Sequence, residues 1–102
     1  MDGIELISFE IISIISTAKN LYMDAIQEAK KGNFESSNQL MAEGDKIFVE
    51  GHIVHEKLIQ REARGEKLTV NLLLMHAEDQ LMTTETLRFF AEELIEVYRR
   101  KE

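Results

Sequence analysis

The sequence predicts an all-α fold, an antiparallel up-down-up bundle of three helices. No proline occurs in the 102 residues, so nothing in the composition interrupts a long helix. Apolar residues recur at alternating spacings of three and four, the period of a helix with one buried face. Gly32 and Gly65 divide this pattern into three segments. We expect one domain over the whole chain. Its helices are predicted at about 4–31, 34–64 and 70–100.

The first helix has an almost continuous apolar seam. Its predicted members are Ile4, Ile7, Ile11, Ile14, Ala18, Leu21 and Ala25. Gly32 suits the position that ends a helix, and Asn33 suits the N-cap of the next one. Further apolar residues flank the seam, namely Phe9, Ile12, Ile15, Tyr22 and Ile26. Because a three-helix bundle cannot cover two faces of one helix fully, part of this surface is predicted to contact another subunit.

The second helix contains two glycines on its predicted inner face. The row reads Met41, Gly44, Phe48, Gly51, His55 and Leu58, and Gly65 ends the helix. Each glycine weakens a helix by about 1 kcal/mol relative to alanine. Gly44 and Gly51 either admit a closely packed neighbouring helix or mark a locally loose one.

The third helix is predicted to follow a short link, with Thr69 as a possible cap. Its predicted inward row is Val70, Leu73, Ala77, Leu87, Ala91, Leu94 and Tyr98. Links as short as those between the three segments force neighbouring helices to run antiparallel.

Composition excludes several classes of function. A net charge of −7 argues against a nucleic-acid partner, which requires a basic surface. The absence of cysteine excludes disulfides and thiolate chemistry within these residues and suits a reducing cytosol. The apolar start, residues 4–15, is interrupted by Glu5 and Glu10 and is shorter than the roughly 20 residues that span a bilayer. It is therefore predicted to be a buried helix rather than a signal or membrane segment.

One polar stripe on the third helix could carry chemistry. His76, Asp79, Gln80 and Thr83 are spaced i, i+3, i+4 and i+7, so they share a helix face at the predicted edge of the core. A partly sheltered neutral imidazole can act as a nucleophile. Asp79 could orient the ring or hold a cation, and Gln80 and Thr83 could donate hydrogen bonds to an anion on it. From spacing alone, a structural histidine at the core edge is the commoner case.

His52 and His55 form an HxxH pattern on the second helix and could hold a metal. The chain has no Glu-x-x-His pair, as a di-iron bundle requires, and no His-Glu-x-x-His, as zinc proteases require. Solvated or packing roles are therefore favoured for both histidines.

The segment "LLLMHAEDQLM", residues 72–82, is similar to the signature of a known family. That family is the enzyme IIA component of the lactose/cellobiose class of the bacterial sugar phosphotransferase system, whose version commonly reads Leu-Leu-x-x-His-Ala-Gln-Asp-His-Leu-Met. "ISFEII", "AIQEAKKGNFE" and "HIVHEKLIQREARGEK" extend the likeness over nearly the whole chain.

The resemblance implies a cytoplasmic phosphoryl carrier, a phosphotransferase component of sugar uptake. His76 would take a phosphoryl group from phospho-HPr as a tele-phosphohistidine and pass it to a cysteine of the IIB component. IIB would phosphorylate the sugar held by the membrane component IIC. The resemblance also implies a homotrimer in which Asp79 holds a divalent cation at the three-fold axis, and oxygen ligands favour Mg²⁺.

Two positions depart from the family's pattern. Glu78 stands where the family usually has glutamine and is predicted to face away from His76. Gln80 stands where the family usually has histidine, and it keeps a donor amide but cannot become cationic. Gln80 therefore supports an alternative function, a trimeric helical adaptor or regulator that carries no phosphate.

Overall fold

The structure, a computed structural model, describes residues 3–101 and confirms the predicted three-helix bundle. Helix α1 comprises Gly3–Lys30, α2 comprises Phe34–Ala63 and α3 comprises Leu72–Arg100. The described residues form a rod of 53 × 22 × 20 Å. Helix α1 packs along both other helices, whereas the backbones of α2 and α3 hardly approach each other.

The ends of α1 and α2 are fixed by glycine in the left-handed region of backbone conformation. Gly32 has a φ of 83° and Gly65 a φ of 89°, and both follow a helix as predicted. In each case the glycine N–H and the next N–H donate back to carbonyls of the last turn, as in the Schellman motif. After α2, a bidentate contact between Arg61 and Glu66 reinforces this end.

The starts of α2 and α3 differ in part from the prediction. Asn33 occupies the N-cap position of α2, but its side chain makes no capping hydrogen bond. Helix α3 begins two residues later than expected because Asn71, rather than Thr69, is its cap. The Asn71 side chain accepts a hydrogen bond of 2.8 Å from the backbone N–H of Leu74.

The glycines of α2 admit a close neighbour, and that neighbour is α1. A Cβ atom on Gly44 would lie 2.7 Å from the ring of Tyr22, and one on Gly51 would lie 2.5 Å from Cδ1 of Ile15. Contacts this short cannot be accommodated unless the Tyr22 ring and the Ile15 side chain, or the helices that carry them, shift. The two large side chains of α1 therefore fill spaces that only glycine leaves open, which resolves the two interpretations of this pair.

More of the apolar residues that flank the seam of α1 are buried within the single chain than the sequence predicts. Ile15 and Tyr22 are fully buried inside the single chain, and Ile26 is 6% exposed. These three residues therefore belong to the core of the single chain, because α1 lies against both other helices and buries a wider face. That part of the flanking surface contacts another subunit stays a prediction. Phe9 remains 47% exposed and Ile12 is half-buried.

The buried row of α3 is displaced from the predicted one. Ala77 and Ala91 are buried as expected, but Val70 is 69% exposed and Leu94 is 39% exposed. The buried residues of α3 are Leu74, Ala77, Leu81, Thr84, Ala91 and Ile95. At two places the residue after the predicted one is buried instead, Leu74 in place of Leu73 and Ile95 in place of Leu94.

Candidate functional site

His76 lies in the second turn of α3 and is exposed in the single chain. Leu72 and Leu73 line an open hollow beside the imidazole. The partial shelter predicted for the ring is therefore absent in the single chain. Among residues 3–101 the ring has no hydrogen-bond or ion-pair partner, so neither nitrogen is engaged within the chain.

The other residues of the polar stripe also lie on α3, but they do not all face the imidazole. Asp79 and Thr83 line a second open hollow, with Met82 and Thr86. Within the described part of the chain the Asp79 carboxylate is exposed and has no side-chain or backbone partner. Its position leaves it available to a cation or to another subunit.

The two predicted hydrogen-bond donors differ in their availability. The Thr83 hydroxyl donates to the Asp79 carbonyl oxygen at 2.8 Å, so its proton is engaged within the helix. Gln80 is half-buried, and its amide has no partner among residues 3–101. Gln80, one turn after His76, is therefore the better placed of the two to donate to an anion on the ring.

The histidines of α2 pair with glutamates of α3. His55 donates from Nε2 to Oε1 of Glu78 at 2.6 Å, and Nε2 of His52 lies 3.7 Å from Oε2 of Glu85. The His52 ring also packs edge-on against Phe48, with centroids 5.3 Å apart. No group of three metal-ligating side chains occurs within residues 3–101. These contacts support packing roles for both histidines.

Glu78 faces away from His76, as predicted, but its partner was not anticipated. Finding the pair with His55 requires the antiparallel register of α2 and α3. The sequence holds one sign of this pair, since α2 carries histidines and α3 carries glutamates at comparable distances from the connecting link, residues 64–71.

A protein-family comparison decides which family the chain belongs to. Residues 6–99 match the model of the family described as "PTS system, Lactose/Cellobiose specific IIA subunit". The chain belongs to this family. None of its helices within residues 3–101 has the length and apolar character needed to cross a membrane.

Individual relatives and solved structures agree with this IIA assignment. The lactose-specific EIIA component of Staphylococcus aureus (strain N315) is 31% identical over 99 residues, covering 97% of this chain and 96% of the relative. The cellobiose-specific enzyme IIA of Bacillus anthracis has a TM-score of 0.96 at 36% identity, covering 98% of this chain and 92% of that one.

A third similar structure comes from a complex. It is the IIA(Chitobiose)–HPr complex of the N,N'-diacetylchitobiose branch of the Escherichia coli phosphotransferase system. Its matched chain has a TM-score of 0.83 at 31% identity, covering 98% of this chain and 97% of that one. The IIA chain described here is thus a phosphotransferase-system component with a role in phosphoryl relay for sugar transport.

Proposed function

We propose that this IIA chain is a cytoplasmic phosphoryl carrier whose reactive group is His76. The observation that carries the proposal is the position of His76 on α3, within the family motif, with an exposed imidazole that has no partner in residues 3–101. Phosphoryl transfer proceeds through a loose transition state and depends mainly on position and electrostatics. The His76 ring meets the requirement for position, because α3 holds it in place and no residue among 3–101 engages its nitrogens.

The proposed relay consists of two displacements at phosphorus. In the first, the lone pair of His76 Nε2 forms a new N–P bond while the bond between phosphorus and the imidazole of phospho-HPr breaks. In the second, a thiolate of the IIB component attacks the same phosphorus, and the His76 ring leaves as a neutral imidazole. These 102 residues contain no cysteine, so the thiolate belongs to IIB, which then phosphorylates the sugar imported by IIC.

A homotrimer is the proposed assembly of this carrier. A stripe of exposed residues runs along α3 with a spacing of three and four. Its members are Leu72, Met75, Asp79, Met82, Thr86 and Phe89. Such an apolar stripe on the outside of a small protein is typical of a subunit contact.

The proposed trimer would bring three copies of Asp79 to its axis, where they would hold a divalent cation. The Asp79 side chain fits this role because it is exposed and has no partner in residues 3–101. An all-oxygen ligand set favours Mg²⁺. A single chain supplies only one of the three carboxylates, so the site would exist only in the assembly.

The test is incubation of the purified chain with phosphoenolpyruvate, enzyme I and HPr. We expect one acid-labile, base-stable phosphoryl group per chain, and we expect His76→Gln to abolish it. His52→Gln and His55→Gln serve as matched controls that retain the label at full stoichiometry.

Two results would overturn the assignment. A folded His76→Gln protein that still gained a full phosphoryl group would place the reactive group elsewhere. A wild-type chain that formed its assembly but accepted no label would favour the adaptor or regulator, for which Gln80 in place of histidine is the supporting observation.

A further inference from the structure

Side chains, rather than close backbone packing, connect α2 to α3. The backbones of these helices hardly approach each other. Four hydrogen-bonded or ion pairs bridge them in the described part of the chain, besides a cation–π contact of Arg99 with the Phe34 ring. The pairs are Asn38–Arg99, Asp45–Arg88, His52–Glu85 and His55–Glu78. The relative position of α2 and α3 therefore depends on individual polar pairs.

The pair closest in sequence to the candidate site is also the more sheltered of the two histidine–glutamate pairs. His55 donates to Glu78 at 2.6 Å, and their side chains are 15% and 40% exposed. The next bridge, His52–Glu85, is longer at 3.7 Å, and both of its side chains are about half exposed. Solvent weakens exposed pairs of this kind until they contribute little. At 1.5 Å per residue, Glu85 is also about 14 Å along α3 from His76, whereas Glu78 is only about 3 Å along.

Glu78 and His76 lie on nearly opposite sides of α3. Two residues correspond to a rotation of about 200°, so the short way around the helix is about 160°. The contact with His55 consequently leaves the His76 ring free, and neither His55 nor Glu78 is placed to touch a group on that ring. Any influence on transfer must act through the orientation of α3 itself.

Within the single chain, the first two turns of α3 have few other anchors. Leu74 and Ala77 are buried, but Leu72 is 81% exposed and Met75 is 56% exposed. A narrow contact of this kind fixes the distance between helices better than it fixes rotation about the helix axis. A polar pair to one side of that contact, such as His55–Glu78, restrains the rotation.

We propose that His55 and Glu78 are a positioning pair for His76, which holds the start of α3 at the rotation that phosphoryl transfer requires. This inference rests on the proposed function. A side chain lies about 6 Å from its helix axis, so a roll of about 10° moves the ring by about 1 Å. A displacement of about 1 Å at a reacting atom can cost about 100-fold in rate.

The experiment measures kcat and KM for phosphoryl transfer from phospho-HPr to the full chain, at a temperature well below unfolding. His55→Leu removes the donor and is expected to lower kcat about tenfold with KM little changed. His55→Gln keeps an N–H donor for Glu78 and is expected to restore most of the rate. His52→Leu, the same change one turn earlier at an exposed position, is the matched control and leaves kcat at the wild-type value.

A purely structural role predicts a different pattern, because it would lower the unfolding temperature of His55→Leu without changing kcat in the folded protein. Wild-type kcat in His55→Leu, equal losses in His55→Leu and His52→Leu, or no rescue by His55→Gln would each overturn the inference. If His55→Leu does not fold, Glu78→Ala replaces it with the same expectation. Failure of the proposed function is distinct, since the wild type itself would then accept no label.

Discussion

At the scale of single residues, Thr84 differs from the other threonines of the helices. The hydroxyls of Thr17, Thr83 and Thr86 each donate to the carbonyl oxygen four residues earlier. Thr84 is 1% exposed, and its hydroxyl is the one buried side-chain oxygen within residues 3–101 that lacks a partner. A buried polar group without a hydrogen bond destabilises the folded state.

Replacement of Thr84 by valine is expected to stabilise the protein by about 1 kcal/mol, because valine has nearly the same shape and removes the unsatisfied hydroxyl. The free energy of unfolding in urea measures this. Ser37→Ala is the matched control, since the buried Ser37 hydroxyl donates to the Ala25 carbonyl at 2.7 Å. Its loss should destabilise by about 1 kcal/mol, the opposite sign. A Thr84→Val protein that unfolded at lower urea than wild type would contradict the argument.

At the scale of the helices, one polar network joins all three. The Tyr22 hydroxyl of α1 donates to Asp45 of α2 at 2.7 Å. Arg88 of α3 donates to both oxygens of the same carboxylate, at 2.5 and 3.0 Å. The hydrogen bond from Arg88 lowers the pKa of Asp45 below its ordinary value, with a further contribution from Tyr22. Burial and the nearby Asp45 raise the pKa of Tyr22 well above its own ordinary value.

The lowered pKa of Asp45 predicts an acid-dependent loss of stability. A carboxylate with a lower pKa in the folded state contributes stability above its unfolded pKa, and this contribution is lost as the pH falls through the folded value. Between about pH 5 and pH 2, the unfolding free energy should therefore fall more steeply in wild type than in Asp45→Asn. Urea unfolding across this range measures the slope.

The control for this prediction removes a carboxylate without a partner in residues 3–101. Glu43→Gln, two residues before Asp45 on the exposed side of α2, should leave the acid slope at its wild-type value. If the unfolding free energy fell equally steeply with pH in wild type and in Asp45→Asn, the charge of Asp45 would contribute nothing to stability.

The ends of the helices and their buried faces differ in how well the sequence predicts them. The helix ends at Gly32 and Gly65 were predictable because a left-handed backbone position selects glycine almost by itself. The inward row of α3 was not, because adjacent apolar residues, such as Leu94 and Ile95, satisfy a helical period equally well in either register. Only packing against α1 decides between them.

The candidate site was predictable in part for a related reason. His76 could be found because motif and spacing are local properties of the chain. Its exposure, and the contact between His55 and Glu78, depend on how α3 is rotated against two other helices. The hydrogen bond from the Thr83 hydroxyl to the Asp79 carbonyl is local, but a threonine hydroxyl in a helix does not always form such a bond, as Thr84 shows.

At the scale of the whole molecule, the exposed stripe of α3 supports the proposed trimer. Leu72, Met75, Asp79, Met82, Thr86 and Phe89 follow the a and d positions of a seven-residue repeat, which is the pattern of helices that meet in a coiled coil. In the single chain, Leu72 at one end of this stripe is 81% exposed and Phe89 at the other end is 57% exposed. Asp79 is its charged member, and a polar residue at one such position typically fixes register and subunit number at a cost in stability.

The last prediction concerns Asp79 in the proposed trimer. Three carboxylates that converge on an axis repel one another, so either protons or a divalent cation must relieve the repulsion at neutral pH. Asp79→Asn should retain the trimer without the ion, and Asp79→Leu should strengthen it by extending the apolar stripe. Sedimentation equilibrium with and without a chelator, together with metal content, measures both effects, and Glu50→Leu controls for the loss of one exposed charge. A metal-free wild-type trimer indifferent to chelator would refute the cation, and a monomeric wild type would refute the axis.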